Sequence, residues 1–342
     1  MTESFAYRGP DDEGFFFEGP VGLGHRRLSI IDLSPSGRQP MSNEDQTLWL
    51  VFNGEIYDFA ETRKELVSRG HTLKSHTDTE TVLHLYEEEG IACLKHLNGM
   101  FGFALWDARL QRLWLARDRL GKKPLVYYWD GKRLLFASEI KAILRDPEVP
   151  REIDFEALDL YLTLNYIPAT WTIFKNIRKL LPGHYLLLEK GELSIQSYWD
   201  IPVNGGEPEV PSPSDPVQWN QCKERLRALL DASVRRRLIA DVPLGAFLSG
   251  GIDSSIIVAL MARHSSRPER PSPLDTRISL PLTRRGMPGK LQHSTARNTM
   301  SSSWVTRISW MPSPRSLIIS TNLLPIPPLF PPTLCPGKQN AT

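Results

Sequence analysis

Three hairpin patterns between residues 99 and 200 constrain the fold most strongly, because each joins two apolar runs through a short turn. They read GMFGFALWDARLQRLWLARDR, KPLVYYWDGKRLLFAS and PGHYLLLEKGELSIQSYWD, with turns at DARLQR, DG and KG. Short turns of this kind between apolar runs are typical of antiparallel strand pairs. The patterns therefore predict a strand-rich domain.

Helical patterns lie among these strands. Residues 79–97, TETVLHLYEEEGIACLKHL, place their apolar side chains near helical spacing, and residues 47–59, TLWLVFNGEIYDF, read as an apolar strand that runs into a turn. Hairpins separated by helices favour a layered α+β domain over a repeat of parallel βαβ units. We predict that this domain covers residues 1–200.

The composition is that of an ordinary water-soluble protein. The chain has 342 residues, enough for about two domains, with a net charge of +2 and 41% hydrophobic residues. It shows no long apolar run and no secretory signal pattern, so we expect a cytoplasmic protein without a membrane partner. Its cysteines, Cys93, Cys222 and Cys335, are far apart, which argues against a disulfide framework or a zinc site.

A second domain is predicted to begin after a linker at residues 201–216, which is rich in proline, glycine and serine. A helical pattern follows at residues 217–238, then an apolar strand, DVPLGAFL, at 241–248 and a second helical pattern at 254–264. The loop FLSGGIDSS joins that strand to that helix. This order predicts the start of an α/β nucleotide-binding domain over residues 217–264.

The loop Ser249–Ser254 is suited to bind an anion. Its glycines let the backbone approach a ligand closely, and free N–H groups at a helix N-terminus favour negative charge. It lacks the lysine of the GxxxxGK[ST] phosphate loop, and a bare SGG is more often a tight turn. The complete SGGxDS pattern resembles the pyrophosphate loop of ATP pyrophosphatases. That resemblance implies ATP contacts from Leu248, Ser249, Gly250, Gly251, Asp253 and Ser254.

Seven further blocks narrow the resemblance to one family. In chain order they read RGPDDEG, GHRRLSIIDLS, FNGEIYDF, SHTDTE, LNGMFGFALWD, ARDRLGKKPLVYY and FASEIKAIL. Together with DVPLGAFLSGGIDSS, they resemble glutamine-hydrolysing asparagine synthetase between residues 6 and 264. Eight blocks in the family's order are a very specific signal.

The resemblance implies an N-terminal-nucleophile fold, a four-layer αββα sandwich, followed by an ATP-pyrophosphatase domain. Such an enzyme takes ammonia from glutamine, activates aspartate with ATP and Mg²⁺, and releases AMP and pyrophosphate together with asparagine. The resemblance allows a homodimer and implies no nucleic-acid partner and no bound metal motif. Another carboxylate acceptor stays open, because the segment that would select the acceptor has no counterpart in this chain.

The resemblance also implies a glutamine site formed by Arg27, Leu28, Ser29, Ile30, Ile31, Asn53, Gly54, Glu55 and Asp78. The Arg27 guanidinium would pair with the substrate α-carboxylate, a task that suits its planar geometry, and the next four residues would continue that segment. Glu55 and Asp78 would hold the α-ammonium group. The Asn53 amide and the Gly54 N–H would form the oxyanion hole that acyl transfer requires.

Several residues of these blocks also have a purely structural interpretation. Arg27 reads alone as part of a solvated basic pair, and Asn53–Gly54 reads alone as a hairpin turn. Asp78 reads as the N-cap of the helix that follows it, a role compatible with ligand binding. Asp118 and Arg119 read as a structural ion pair, without a role in the site.

The N-terminal segment departs from the family pattern. The family begins with a cysteine whose thiolate attacks glutamine, and an apolar strand separates that cysteine from RGPD. Here Met1–Tyr7 precede Arg8, so we expect an incomplete sandwich that lacks its first strand and its nucleophile. Thr2 is a poor substitute, and Cys93 is expected to be a packed core residue. We therefore expect an inactive chain, with a non-catalytic glutamine-binding module as an alternative.

Residues 265–342 differ in composition from the rest of the chain. They contain ten basic and two acidic residues and 13 of the 28 prolines, without a sustained period. A basic arm that binds nucleic acid is one interpretation. We favour a frameshift near His264, because the family segment HFDEPFADSSAIPT, written in suitable codons and read one base later, gives ISTNLLPIPPLFPP, residues 319–332. We predict a disordered tail. A genomic locus in which no other frame encodes the family segment would contradict the frameshift.

Overall fold

The computed structural model describes residues 1–202 and 215–264, together with the backbone of residues 317–319. The chain divides into two compact units, Met1–Val242 and Pro243–Thr342. None of the helices in the described part of the chain is both long enough and apolar enough to cross a membrane.

The first unit contains groups of strands with helices between them. Its strands are β1 (Asp12–Glu18), β2 (Val21–Arg27), β3 (Met41–Ser42), β4 (Leu48–Ile56), β5 (Gly99–Asp107), β6 (Arg112–Arg117), β7 (Val126–Trp129), β8 (Leu134–Ala137), β9 (Ile177–Lys179), β10 (His184–Glu189) and β11 (Glu192–Ser197). Its helices are α1 (Phe59–Ser68), α2 (Asp78–Glu89), α3 (Ile140–Ile143), α4 (Phe155–Leu164) and α5 (Pro216–Arg236).

The strands form three sheets. The largest has six antiparallel strands in the order β11–β10–β6–β5–β4–β3. β7 lies between β8 and β9 in a three-stranded antiparallel sheet, and β1 pairs with β2 as a separate hairpin. The three hairpins predicted from the sequence, β5–β6, β7–β8 and β10–β11, are confirmed.

One face of the six-stranded sheet packs against helices α1 and α2. Phe52, Phe103 and Trp114 project from the strands and meet Leu66 of α1 and Leu83 of α2. Each of these side chains is almost completely buried. Burial of an apolar side chain of this size stabilises the fold by about 1.5–3 kcal/mol, so this layer contributes much of the stability of the unit.

The other face of the six-stranded sheet packs against the two small sheets. Val51 and Leu115 of the large sheet share a core with Leu23 of β2 and Tyr127 of β7. A third cluster, which includes Ile143 of α3, covers the outer face of the three-stranded sheet. The layers therefore follow the predicted αββα order in an α+β unit. The second β layer is divided between two small sheets.

The helix predicted over residues 79–97 is interrupted. α2 ends at Glu89, and Gly90 takes a φ of +58°, a conformation that glycine adopts at little cost. A 3₁₀ helix follows at Gly90–Lys95. The apolar pattern continues through this break because both segments face the same core, so the pattern alone does not reveal the change of helix type.

The N-terminus of α2 also differs from the prediction. Thr77 is the N-cap, since its hydroxyl accepts a hydrogen bond from the Glu80 N–H at 3.3 Å. The prediction that Asp78 caps the helix is therefore wrong. Asp78 is the first residue of α2, and its carboxylate accepts a hydrogen bond from the Ile56 N–H at 2.7 Å. This bond joins the end of β4 to the start of α2.

The ion pair predicted between Asp118 and Arg119 is wrong for the described structure. Arg119 donates to a backbone carbonyl instead. The Asp118 side chain is 1% exposed. Its carboxylate accepts hydrogen bonds of 2.9–3.2 Å from the backbone N–H groups of Phe101, Leu120, Lys122 and Lys123. Asp118 thus holds the turn after β6 against β5, and several of these partners lie in the turn itself.

We predict that Asp118→Asn lowers the free energy of unfolding by about 2–4 kcal/mol, because it removes a buried charge shared by four N–H donors. Urea denaturation followed by circular dichroism measures this change. Asp130→Asn is the matched control, since Asp130 also accepts from N–H groups of its own turn but is exposed. We expect it to lose about 0.5 kcal/mol or less. Equal losses would contradict the role given to Asp118.

The second unit begins with the predicted strand–loop–helix segment, β12 (Leu244–Ala246) followed by α6 (Ile252–His264). A further strand, β13 (Leu317–Ile319), pairs parallel with β12. These three residues depart from the disorder predicted for the tail, because their backbone groups find partners in β12. The rest of that tail, nearly all of the frameshift segment, and residues 203–214 of the predicted linker lie outside the described residues.

Candidate active site

β4 carries three of the predicted glutamine-site residues in succession, Asn53, Gly54 and Glu55. They pair with residues 100–102 of β5, so the interpretation of Asn53–Gly54 as a hairpin turn is wrong. A Cβ atom at Gly54 would lie 2.3 Å from the carbonyl oxygen of Met100. Because that oxygen belongs to the backbone of a central strand, only glycine fits at this position.

The Asn53 side chain lies on the same face of β4 as Glu55, since residues two apart in a strand share a face. Its Nδ2 atom donates to the Ser138 Oγ at 3.3 Å, at the junction between β8 and α3. This contact gives the amide a defined orientation, which a donor in an oxyanion hole requires. The oxyanion role of Asn53 and Gly54 stays a prediction.

Glu55 and Asp78 bring two buried carboxyl groups together where β4 ends and α2 begins. Burial, and next the charge of Asp78, raise the pKa of Glu55 to about 7. Burial also raises the pKa of Asp78 to about 6, although the hydrogen bond from the Ile56 N–H opposes the shift. A positive charge bound beside these two carboxyl groups would favour their ionised forms.

Lys123 is a residue of this site that the sequence interpretation did not single out. Burial and the neighbouring Arg8 lower its pKa, and the carboxylates of Glu55, Asp118 and Asp78 oppose that shift. Lys123 lies within the block ARDRLGKKPLVYY, whose turn is held by the Asp118 carboxylate. Nothing in that block indicates that the ammonium group reaches β4, because the approach depends on tertiary packing.

Arg27 ends β2, and its guanidinium is buried, so the interpretation as a solvated basic pair is wrong. The guanidinium donates to the Ser34 carbonyl at 2.9 Å, to the Ile31 carbonyl at 3.3 Å and to the Asp32 carbonyl. These bonds hold the loop that follows β2. Pairing of Arg27 with a substrate carboxylate stays a prediction.

Two backbone hydrogen bonds hold the middle of the predicted segment 28–31. The Ser29 N–H donates to the Asp11 carboxylate at 2.8 Å, and the Ile30 carbonyl accepts from the Asp241 N–H at 2.9 Å. Asp11 belongs to the RGPDDEG block, so two of the sequence blocks that carry the resemblance are in direct contact.

The side chains of Leu28 and Ile31 have different surroundings. Leu28 is 45% exposed, whereas Ile31 lines a cavity of about 600 Å³ together with Phe59, Arg63 and His76, among others. No other predicted glutamine ligand in the described part of the chain lines this cavity. The structure therefore brings together the residues at β4 and α2 but places Ile31 in a separate cavity.

Two buried polar residues that carry no clear sequence signal connect the elements of the site. The Gln39 Oε1 accepts from the Phe52 N–H at 2.6 Å, and its Nε2 donates to the Thr79 hydroxyl at 3.4 Å, so it links β4 to α2. Asp32 accepts from the His76 N–H at 2.7 Å and thereby links the loop after β2 to the residues before α2. The sequence of a loop does not show which of its polar residues is buried.

The described cysteines have different surroundings. Cys93 is fully buried in the core beside α2, which confirms the prediction that it is a packed core residue. Burial raises the pKa of its thiol far above the ordinary range, so the nucleophilic thiolate is disfavoured. Cys222 is exposed on α5.

The predicted phosphate loop lies at the surface of the second unit. Gly250 takes a φ of +78°, so the turn before α6 favours glycine at this position. The hydroxyl oxygens of Ser249 and Ser254 lie 3.0 Å apart and brace the loop. Leu248 is half exposed, and Asp253 stands in the first turn of α6. Contacts of these residues with ATP stay a prediction.

Two family models match this chain. The glutamine amidotransferase domain matches residues 1–199, and asparagine synthase matches residues 225–278. The chain therefore belongs to the glutamine amidotransferase domain family and continues into a segment of the asparagine synthase family.

Curated relatives of this chain include asparagine synthetases and an amidase. Asparagine synthetase [glutamine-hydrolyzing] 3 of Bacillus subtilis is 41% identical over 280 residues, which cover 81% of this chain and 44% of that protein. Putative asparagine synthetase [glutamine-hydrolyzing] 2 of Methanocaldococcus jannaschii is 38% identical, covering 76% and 53%. Amidase chry2 of Gibberella zeae is 38% identical, covering 75% and 37%. The chain spans about half the length or less of these relatives.

We predict that Glu55→Gln stabilises the protein at pH 8 but not at pH 4. The pKa of Glu55 is raised from 4.5 to about 7, so between these values the folded state keeps a proton that the unfolded state has lost. Stability therefore falls as the pH rises through this window, and removal of the ionisable group restores about 1–3 kcal/mol above it.

Urea denaturation of wild type and variant at pH 4 and pH 8 measures this difference. Glu192→Gln, an exposed substitution of the same type on β11, is the matched control and is expected to change stability by about 0.5 kcal/mol or less. A stability difference between Glu55→Gln and wild type that is equal at both pH values would contradict the buried position of Glu55.

Proposed function

We propose that the first unit binds glutamine and holds its α-ammonium group with Glu55 and Asp78. The observation that carries this proposal is the pair of buried carboxyl groups with raised pKa where β4 meets α2. The ammonium group of a ligand would favour ionisation of both carboxyl groups, because the charges of Lys123 and Arg237 offset the raised pKa of Glu55 only in part.

The position of Asn53 and Gly54 supports the same ligand. Both residues directly precede Glu55 on a strand that is hydrogen-bonded along its length to β5, so the spacing between the carboxylate and the amide donors is rigid. A rigid spacing suits a ligand that has an ammonium group at one end and an amide oxygen at the other. The Arg27 guanidinium would bind the α-carboxylate by giving up one of its hydrogen bonds to a loop carbonyl, such as that of Ile31.

We further propose that the reaction of the family to which this chain belongs is amidation of aspartate by glutamine-derived ammonia. ATP drives this reaction, and AMP and pyrophosphate are its products. The loop Ser249–Ser254 at the N-terminus of α6 would hold the pyrophosphate, and Mg²⁺ would enter with ATP as its counter-ion. The named relatives include both asparagine synthetases and an amidase, so another carboxylate acceptor is the alternative.

A glutamine-binding module without glutaminase activity is the second candidate. Cys93 is buried with a raised thiol pKa, and Cys222 lies on the exposed surface of α5, so neither supports a nucleophile beside Asn53 and Gly54. We propose that residues 1–342 alone bind glutamine without hydrolysing it.

Isothermal titration calorimetry tests the binding site. We expect the chain to bind L-glutamine but not Nα-acetyl-L-glutamine, which lacks the ammonium charge. Asp78→Asn and Glu55→Gln should each weaken binding about tenfold or more, because a hydrogen bond to a charged group contributes about 1.5–3 kcal/mol. Asp146→Asn is the matched control, since the Asp146 carboxylate contacts Arg133.

The results separate the two parts of the proposal. Folded wild-type protein that fails to bind L-glutamine, or that binds the acetylated compound equally well, would rule out the ammonium site. Release of glutamate above a control without enzyme would leave the binding site intact and contradict the inactivity of the chain.

A further inference from the structure

Two histidines and two glutamates from three separate segments converge beside α2. His84 and Glu87 lie one turn apart on the helix, His71 follows α1, and Glu44 lies in the loop between β3 and β4. One donor atom from each residue lies within 4.8 Å of the donor atoms of the other three. The two imidazole rings are 4.7 Å apart between their centres.

The distances between these donor atoms resemble those of a metal ligand shell. The His84 Nδ1 lies 2.6 Å from the Glu87 Oε2 and 3.6 Å from the Glu44 Oε2. The His71 Nδ1 lies 3.7 Å from the Glu87 Oε2 and 3.9 Å from the Glu44 Oε1. Tetrahedral ligands at about 2.1 Å from Zn²⁺ lie about 3.4 Å apart, so small side-chain movements would complete the shell.

Further polar groups form hydrogen bonds with the second polar atom of His71 and of Glu87 and thereby orient these two ligands. The His71 Nε2 lies 3.0 Å from the Glu88 Oε1, and a carboxylate on that nitrogen favours the tautomer whose Nδ1 is free to bind a metal. The Asn43 Nδ2 donates to the Glu87 Oε1 at 2.7 Å, which leaves the Oε2 facing the imidazoles. The partners that support a bound metal are therefore in place around the cluster.

We propose that Glu44, His71, His84 and Glu87 bind one Zn²⁺ ion. Imidazole nitrogens and carboxylate oxygens are both ligands that zinc accepts, and four protein ligands leave no open position for a substrate. The ion would therefore have a structural role. It would fasten the loop after α1 and the loop before β4 to α2, the helix that begins at Asp78.

A metal-free network of histidine–glutamate hydrogen bonds is the competing explanation, and direct metal binding distinguishes the two. The full chain is treated with a chelator, dialysed and titrated with Zn²⁺ against a chromophoric competitor. We expect one Zn²⁺ ion per chain. Co²⁺ should give the visible bands of a four-coordinate site without the near-ultraviolet charge transfer of a thiolate ligand, which excludes binding at Cys222.

Three variants locate the ion. His71→Ala removes a ligand and should weaken Zn²⁺ binding at least about 100-fold, whereas Glu88→Gln removes an outer partner and should weaken it about tenfold. Glu44→Gln changes an exposed ligand and should also weaken Zn²⁺ binding. It replaces His71→Ala in the experiment if circular dichroism shows that His71→Ala does not fold.

His96→Ala is the matched control, because His96 is an exposed histidine paired with Glu89 at 3.1 Å outside the cluster. It should bind Zn²⁺ as wild type does. Wild-type protein that takes up no stoichiometric Zn²⁺, or folded His71→Ala and Glu44→Gln proteins that bind it as tightly as His96→Ala, would overturn the proposal.

Discussion

The hydrogen bond from the Ile56 N–H to the Asp78 carboxylate is the contact around which the candidate site is arranged. It joins the last residue of β4 to the first residue of α2 and brings Glu55 beside Asp78. Because both groups are buried, loss of the bond leaves the Ile56 N–H unsatisfied and removes one of the hydrogen bonds to the Asp78 carboxylate, at a cost of about 1–3 kcal/mol. Gln39 adds a second connection between the same two elements.

The fold was largely predictable because its antiparallel strand pairs are apolar runs joined by short turns. The break in the pattern at Gly90 was not, because the apolar positions continue into the 3₁₀ helix. Asp118 shows a second limit. Its partners include the Phe101 N–H on β5, a contact that exists only after the strands pair, and the neighbouring Arg119 suggested an ion pair instead.

The family resemblance predicts a set of residues for the candidate site but not their physical arrangement. Glu55 and Asp78 interact, whereas Arg27 is engaged by the carbonyls of its own loop. The proposed zinc ligands do not form a metal-binding motif in the sequence. They lie in three segments between Glu44 and Glu87, and only the pair on α2 has a regular spacing, which is equally typical of a helix surface.

The pKa values of Glu55 and Asp78 in the presence of glutamine test the central claim most directly. Carboxyl carbon chemical shifts, followed by NMR across a pH titration, report both groups separately when each is assigned with the corresponding amide variant. Binding of an ammonium group between them should lower both pKa values from about 7 and about 6 towards the ordinary range. Values that are elevated without glutamine and unchanged by its saturating addition would contradict the account.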